Sequence, residues 1–419
     1  MRRFAIPLIC LLSLIFTAFL PYPIDGFEET GIRRLARLQK IEDGEIAGEK
    51  LPSGALKTSD QIFLNFTGER RGELEGGVPI DPSLQQQINR LFTGLDASYS
   101  LTLMDITPGR PVRYAERKAN SGYQPGSVGK LAVITALFTE LQRIYPDSFE
   151  QRLDLLRNTQ VTAGKWALPN EHTVPFYDPE TGKFFKRTLV ATDVFSLYEW
   201  VDHMLSVSSN GAASVVWREA ILMRAFGKDY PVSLERANQF FQEMPRDSLA
   251  TLTVAVVNEP LRHMGIMEDE WRLGAMFTHE AKRLAPGQGG SIGTAGGLMK
   301  FLQAIECGDV VDKESSLEIK RMMYMTDRRI RYAAAPVLKE AAVYFKSGSL
   351  YSCRADSTDP CGKYKGNVQN YMNSVAIIEH PDSVQTTYLV VLMSNVLRKN
   401  SASDHMALAA RIDAIVRKE

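Results

Sequence analysis

Along the chain the apolar positions fall into distinct regimes. Tyr99 to Ile106 and Val112 to Ala115 are short strand-like runs, and Thr107-Pro108-Gly109-Arg110 between them carries the residues of a hairpin turn. From Ser127 to about Ile144 the residues are apolar on nearly every side, the pattern of a helix buried in the middle of a protein. From about 150 to 300 the spacing is mainly helical with little alternation, including Val194 to Val207, Gly211 to Phe226 and Leu234 to Glu243. Strand-like runs return at Ala342 to Ser347, Ser374 to Glu379 and Thr387 to Met393, and Asp404 to Val416 closes the chain as an amphipathic helix. Strands at both ends with helices between them predict one split α/β (α+β) domain over residues 96–419. Its antiparallel sheet is flanked by helices, and an all-helical region is inserted at about 150–300.

Two N-terminal segments stand apart from this domain. Phe4 to Leu20 runs apolar and uncharged behind Arg2 and Arg3, the pattern of an export signal. Residues 1–22 therefore read as a signal peptide or an uncleaved membrane anchor, and the protein as periplasmic or secreted. Residues 23–95 are charged and polar with scattered Gly and Pro, a leader or spacer that ends in a helix around Asp81 to Leu95.

Composition then removes function classes. The 419 residues carry 49 basic and 49 acidic side chains, so bulk charge points to no nucleic-acid partner and function must come from a site. A monomer is expected. The 6 histidines are scattered, and neither a zinc-ligand spacing nor a Gly-rich phosphate loop occurs, so neither a metal nor an organic cofactor is expected. Cys353 and Cys361 are close enough to bridge a hairpin loop in an oxidising compartment, the alternative being two free surface thiols. Cys10 goes with the N-terminal apolar run, and Cys307 stands alone.

Candidate chemistry comes from three short motifs in order: Ser127-Val128-Gly129-Lys130, Ser208-Ser209-Asn210 and Lys346-Ser347-Gly348. Taken alone, the first is equally a helix start with an exposed lysine, and the second a helix cap. Yet the chain holds no other Ser-x-x-Lys, Ser-x-Asn or Lys-[Ser/Thr]-Gly. The first opens the buried helix, the second sits between helical stretches, and the third ends the strand-like run Val343-Tyr344-Phe345. A serine hydroxyl needs a base to take its proton as it attacks a carbonyl. Lys130 lies one helical turn from Ser127 on the same face, where burial beside other cations would lower its pKa.

This ordered trio resembles that of the class A β-lactamases and the related penicillin-recognising D,D-peptidases, over about residues 95 to 419. The resemblance implies a β-lactamase/transpeptidase-like fold and an acyl-serine mechanism on β-lactam or peptidoglycan-type amides. Ser127 would be the nucleophile and Lys130 its base, with Ser208 relaying the proton to the leaving nitrogen. The backbone amides of Ser127 and Ser349 would hold the oxyanion. Asn210 would orient the substrate amide, Lys346 and Ser347 would bind a substrate carboxylate, and Gly348 would let substrate lie against its strand. Thr294-Ala295-Gly296-Gly297-Leu298-Met299 looks like a helix start of the same family, with Thr294 as N-cap. The Glu-x-x-Leu-Asn pattern that supplies the deacylating base of class A enzymes is missing. Its nearest counterpart is Asn258-Glu259-Pro260-Leu261-Arg262, which makes Glu259 the candidate for activating water, with Glu268, Asp269 and Glu270 as another acidic cluster nearby. Alternatives are a D,D-peptidase or penicillin-binding protein, favoured by that missing pattern, an esterase using the same site, and a non-catalytic cell-envelope binding protein on the same fold.

Overall fold

Alternation along the strands explains the architecture. In the computed structural model, which describes residue 24 and residues 26–354 and 361–418, β1 (Ser100–Asp105) and β2 (Arg113–Arg117) form the expected hairpin. From the other end of the chain come β3 (Ala342–Ser352), β4 (Gln369–Glu379) and β5 (Thr387–Asn395). They join in one antiparallel sheet of order β2-β1-β5-β4-β3. Val375 and Ile377 of β4 face the helical region, while Ala376 and Ile378 face the second core, as the period of two requires. That second core is closed by Leu84, Ile88 and Leu91 of the helix Pro82–Leu91 and by Leu408, Ile412 and Val416 of the helix Ala402–Arg417. The mixed α/β fold with its antiparallel sheet is thus the predicted one.

On the other face the helix Lys130–Ile144 runs through the main core, with residues 130–138 all buried. Helices Leu197–Leu205, Asn210–Phe226 and Arg246–His263 surround it. Helix Ala295–Cys307 starts at Thr294, whose hydroxyl accepts the Gly297 amide as an N-cap.

Several expectations are corrected. The inserted region is not all helical: Gln160–Thr162 pairs with Val194–Ser196, and Thr173–Tyr177 with Phe184–Thr188. These strands are too short for a period to be legible, and one contains Pro175. The helix expected from Val194 begins at Leu197, where Ser196 caps it through the Glu199 amide. Strand β3 does not stop at the Lys-Ser-Gly motif but continues to Ser352.

Residues 26–95 are no spacer. Ile32, Leu35, Ile62, Leu64 and Phe66 are buried in the main core. Arg34 pairs with Asp202 at 2.6 Å and Arg33 with Glu199 at 2.9 Å. The charges that made this stretch look solvated are partners of a helix far along the chain. Cys353 and Cys361 are disulfide-bonded, and Cys307 is free. The apolar run Phe4–Leu20 lies outside the described residues; among those described, no helix is long and apolar enough to cross a membrane.

Candidate active site

Ser127 lies in the 3-10 turn Gly126–Gly129, which runs directly into the helix Lys130–Ile144. This turn presses against β3 so closely that side chains are excluded on both sides. A Cβ on Gly348 would sit 2.1 Å from the Pro125 carbonyl oxygen and 3.1 Å from the Ser127 nitrogen. Gly126, at φ +54°, would meet the Ser349 nitrogen at 2.8 Å. Gly348 is therefore required by the approach of the turn, a constraint beyond the room for substrate expected of it. Because β3 is the edge of the sheet, its outer side is open to a ligand beside Ser127.

Lys130 is fully buried beneath Ser127. Its Nζ donates to Ser127 Oγ at 2.9 Å, to the Ser208 carbonyl at 2.6 Å and to Asn210 Oδ1 at 2.8 Å, with Ser208 Oγ at 3.3 Å. The Phe277 ring closes another side, its centroid 5.1 Å from the nitrogen. None of these partners is charged. Burial first, then repulsion from Lys346 and Arg328, holds the Lys130 ammonium well below its usual pKa. Ser208 occupies the short link between the helices Leu197–Leu205 and Asn210–Phe226 at φ +61°. This strained conformation turns its carbonyl to Lys130 and its hydroxyl to Lys346, whose Nζ donates to Ser208 Oγ at 2.8 Å. Lys346 is buried as well, and burial, Arg328 and Arg331 push it down to about 7.

Two lobes meet at Ser127. One, of about 280 Å³, is polar and is lined by Ser208, Asn210, Ser347 and Ser349 together with Arg328 and Arg331. The other, of about 320 Å³, is lined largely by apolar side chains including Pro125, Leu273, Met276, Phe277 and Leu350. Ser127, Asn210, Ser349 and Leu350 line both. Of the residues singled out in the sequence, Ser127, Lys130, Ser208, Asn210, Lys346, Ser347, Gly348 and Ser349 are thus brought together.

Glu259 is not among them. It lies on the helix Arg246–His263 with its side chain 48% exposed, paired to Arg224, which also pairs with Glu140. It lines neither lobe, so the likeness of its Glu-Pro pair to the missing motif was local only. Glu171, His172, Arg328 and Arg331 line the polar lobe without having been singled out. The only signal for the arginines was the basic run Arg328-Arg329-Ile330-Arg331, which reads as a solvated loop. Among the described residues no group of three His, Cys, Asp or Glu side chains could hold a metal ion.

The fold and this constellation define the β-lactamase and penicillin-binding superfamily of serine hydrolases. The chain belongs to the beta-lactamase enzyme family, whose model matches residues 83–417. Among solved structures it is similar to that of PBP-A, with 13% identity and a TM-score of 0.51 over 81% of this chain and 99% of that one. A mutant of PBP-A, described as an acyl-enzyme complex with penicillin G, matches at 12% identity and TM-score 0.50 over 81% and 99%. A β-lactamase from Chitinophaga pinensis matches at 13% and 0.50 over 80% and 99%. At such identities the likeness is one of fold. No curated protein sequence matches the chain.

Proposed function

We propose that this protein is an acyl-serine enzyme of the penicillin-binding, D,D-peptidase type. It would act on peptidoglycan-type amides and be acylated by β-lactams that it releases slowly. Neutral Lys130 takes the Ser127 proton as Oγ attacks the carbonyl, and the Ser127 and Ser349 amides face the developing oxyanion. Lys346 and Ser347 hold the carboxylate of the substrate. Ser208, hydrogen-bonded to both lysines, passes the proton from Lys130 to the departing nitrogen. These steps return Lys130 to its neutral form, leaving it as the base for the final attack by water.

One observation favours slow release over rapid β-lactamase turnover: no carboxylate among the described residues pairs with Lys130. The one carboxylate lining this lobe, Glu171, is not bonded to Lys130, so the direct lysine–carboxylate pairing that would activate water is missing where acylation is set up. The penicillin acyl-enzyme named for the PBP-A mutant is in keeping with this reading. We further place the protein outside the cytoplasm, on the strength of Arg2, Arg3 and the run Phe4–Leu20, together with the Cys353–Cys361 disulfide.

Intact-protein mass spectrometry with penicillin G, followed over time, tests the proposal. A stable adduct, mapped to Ser127 and absent in Ser127→Ala, is expected. An adduct that clears within seconds would mean β-lactamase turnover, and no adduct with any β-lactam or D,D-peptide would remove the acyl-serine mechanism.

A further inference from the structure

Charge around the polar lobe is one-sided. Arg328, Arg331 and Lys363 line it, Lys130 and Lys346 lie buried at its floor, and Glu171 is the one carboxylate among its described lining residues. Some of these cations are already engaged. Lys130 serves Ser127, and Lys346 rests on Ser208 Oγ and the Ser347 carbonyl. Arg331 donates to the Gly348 carbonyl at 2.5 Å and stacks on Tyr364 at 5.5 Å. A single substrate carboxylate at Lys346 and Ser347 would still leave Arg328 and Lys363 without a carboxylate partner among the described residues.

His172 marks where this surplus is directed. Its Nδ1 is buried without a hydrogen-bond partner, and its ring lines the same lobe. Burial, then Lys130, Arg328, Lys346 and Lys363, depress it to about 3, so the imidazole is neutral at pH 7 and adds no charge of its own. Arg328 acts on Lys130, Lys346 and His172 alike, whereas Lys363 acts on His172 and is not among the groups that perturb the two lysines. Ser208, which hands the proton to the departing nitrogen, lines the same lobe as His172, Arg328 and Lys363, so these groups adjoin the leaving-group part of a bound substrate.

We infer that Arg328 and Lys363, with His172 lining the same lobe, form a second anion subsite on the leaving-group side, so that the preferred substrate carries a second acidic group beyond the carboxylate held by Lys346. The inference rests on the acyl-serine reading and names its substrate class: a doubly anionic acyl donor whose extra carboxylate or sulfonate departs with the leaving group. Unpaired cations in a cleft raise the capture rate of an anion by about tenfold or more, and salt screens that gain.

Cefamandole and cefonicid supply the matched probe, because they share one scaffold and the tetrazole N-methyl of the first carries a sulfonate in the second. Second-order rate constants for acylation, read by intact-protein mass spectrometry at low salt, are expected to favour cefonicid by about tenfold. The preference should fall toward parity in Arg328→Gln, in Lys363→Gln and at high salt. Equal rates in the wild type, or a preference that both variants keep, would overturn the subsite. If neither compound acylates, their binding to Ser127→Ala is measured by calorimetry. A cefonicid preference that Lys363→Gln abolishes would keep the subsite while overturning the acyl-serine reading, and no preference would overturn the subsite too.

Discussion

Two lysines of this chain are buried to the same degree and held in opposite ways. Lys320, fully buried, pairs with Glu306 at 2.7 Å and Glu379 at 2.8 Å, and donates to the Phe63 carbonyl at 2.7 Å. Glu379 in turn pairs with Lys57 and accepts from the Tyr344 hydroxyl at 2.8 Å. Burial alone would discharge Lys320, but the two carboxylates outweigh it and raise its pKa. Burial likewise pushes Glu379 up, and Lys320 and Lys57 overcome it to hold the carboxyl at about 2. Lys130 is equally buried, yet it meets only neutral oxygens and another lysine, and its pKa falls. Strand β3 touches both places: Tyr344 reaches the ion network, and Lys346, two residues on, reaches Ser208. The contrast separates a cation kept for structure, with counter-charges supplied, from one kept for chemistry, with counter-charges withheld.

Substitution should break the contrast in opposite directions. Lys130→Met is expected to slow acylation of Ser127 by roughly a thousandfold or more, as loss of a positioned base does, while raising stability by about 1 kcal/mol because a buried polar group is gone. Adduct formation and urea unfolding read the two effects, and a loss of stability would contradict the assignment. Lys320→Met leaves Glu306 as an uncompensated buried charge and Glu379 with Lys57 alone, and should cost about 3–5 kcal/mol, seen as a lowered urea midpoint.

A pH profile sharpens the picture further. Lys346 must be charged to hold a carboxylate, and its pKa is depressed from 10.5 to about 7. In the free enzyme the acylation rate should therefore fall as pH rises through about 7, and Arg328→Gln, by removing a repelling charge, should move that limb to higher pH. The smallest effect is expected for Glu259→Gln. Its exposed pair with Arg224 lies outside both lobes, so acylation and release of a β-lactam should match the wild type, and stability should drop by less than about 1 kcal/mol.

The sequence showed the site better than its surroundings, for physical reasons. Ser127 and Lys130 are neighbours by helical spacing, and Lys346 to Ser349 are consecutive on one strand, so short motifs carry their geometry. Asn210 at a helix start and Thr294 as an N-cap are local features too. Glu259 failed because a Glu-Pro pair says nothing about which face of its helix meets the cleft. His172, Arg328 and Arg331 escaped notice because their meaning depends on segments that only the fold brings together. The N-terminal segment was misread as a spacer for the same reason: Arg33 and Arg34 look solvated until Glu199 and Asp202 are placed beside them. The sheet strands were legible where long apolar runs marked them, closely in β1 and β5, whereas β4 begins five residues before the expected Ser374.

The most direct test is a lysine titration by NMR with carbon-13 at Cε, assigned through Lys130→Met, Lys320→Met and Lys346→Met. Lys130 is expected to lose its proton well below the range of an ordinary lysine, and Lys346 to titrate near neutrality. Lys320 should stay charged to the alkaline limit of the fold. A Lys130 signal that remained that of an ammonium ion from pH 6 to pH 9 would contradict the account, since Ser127 would then have no base.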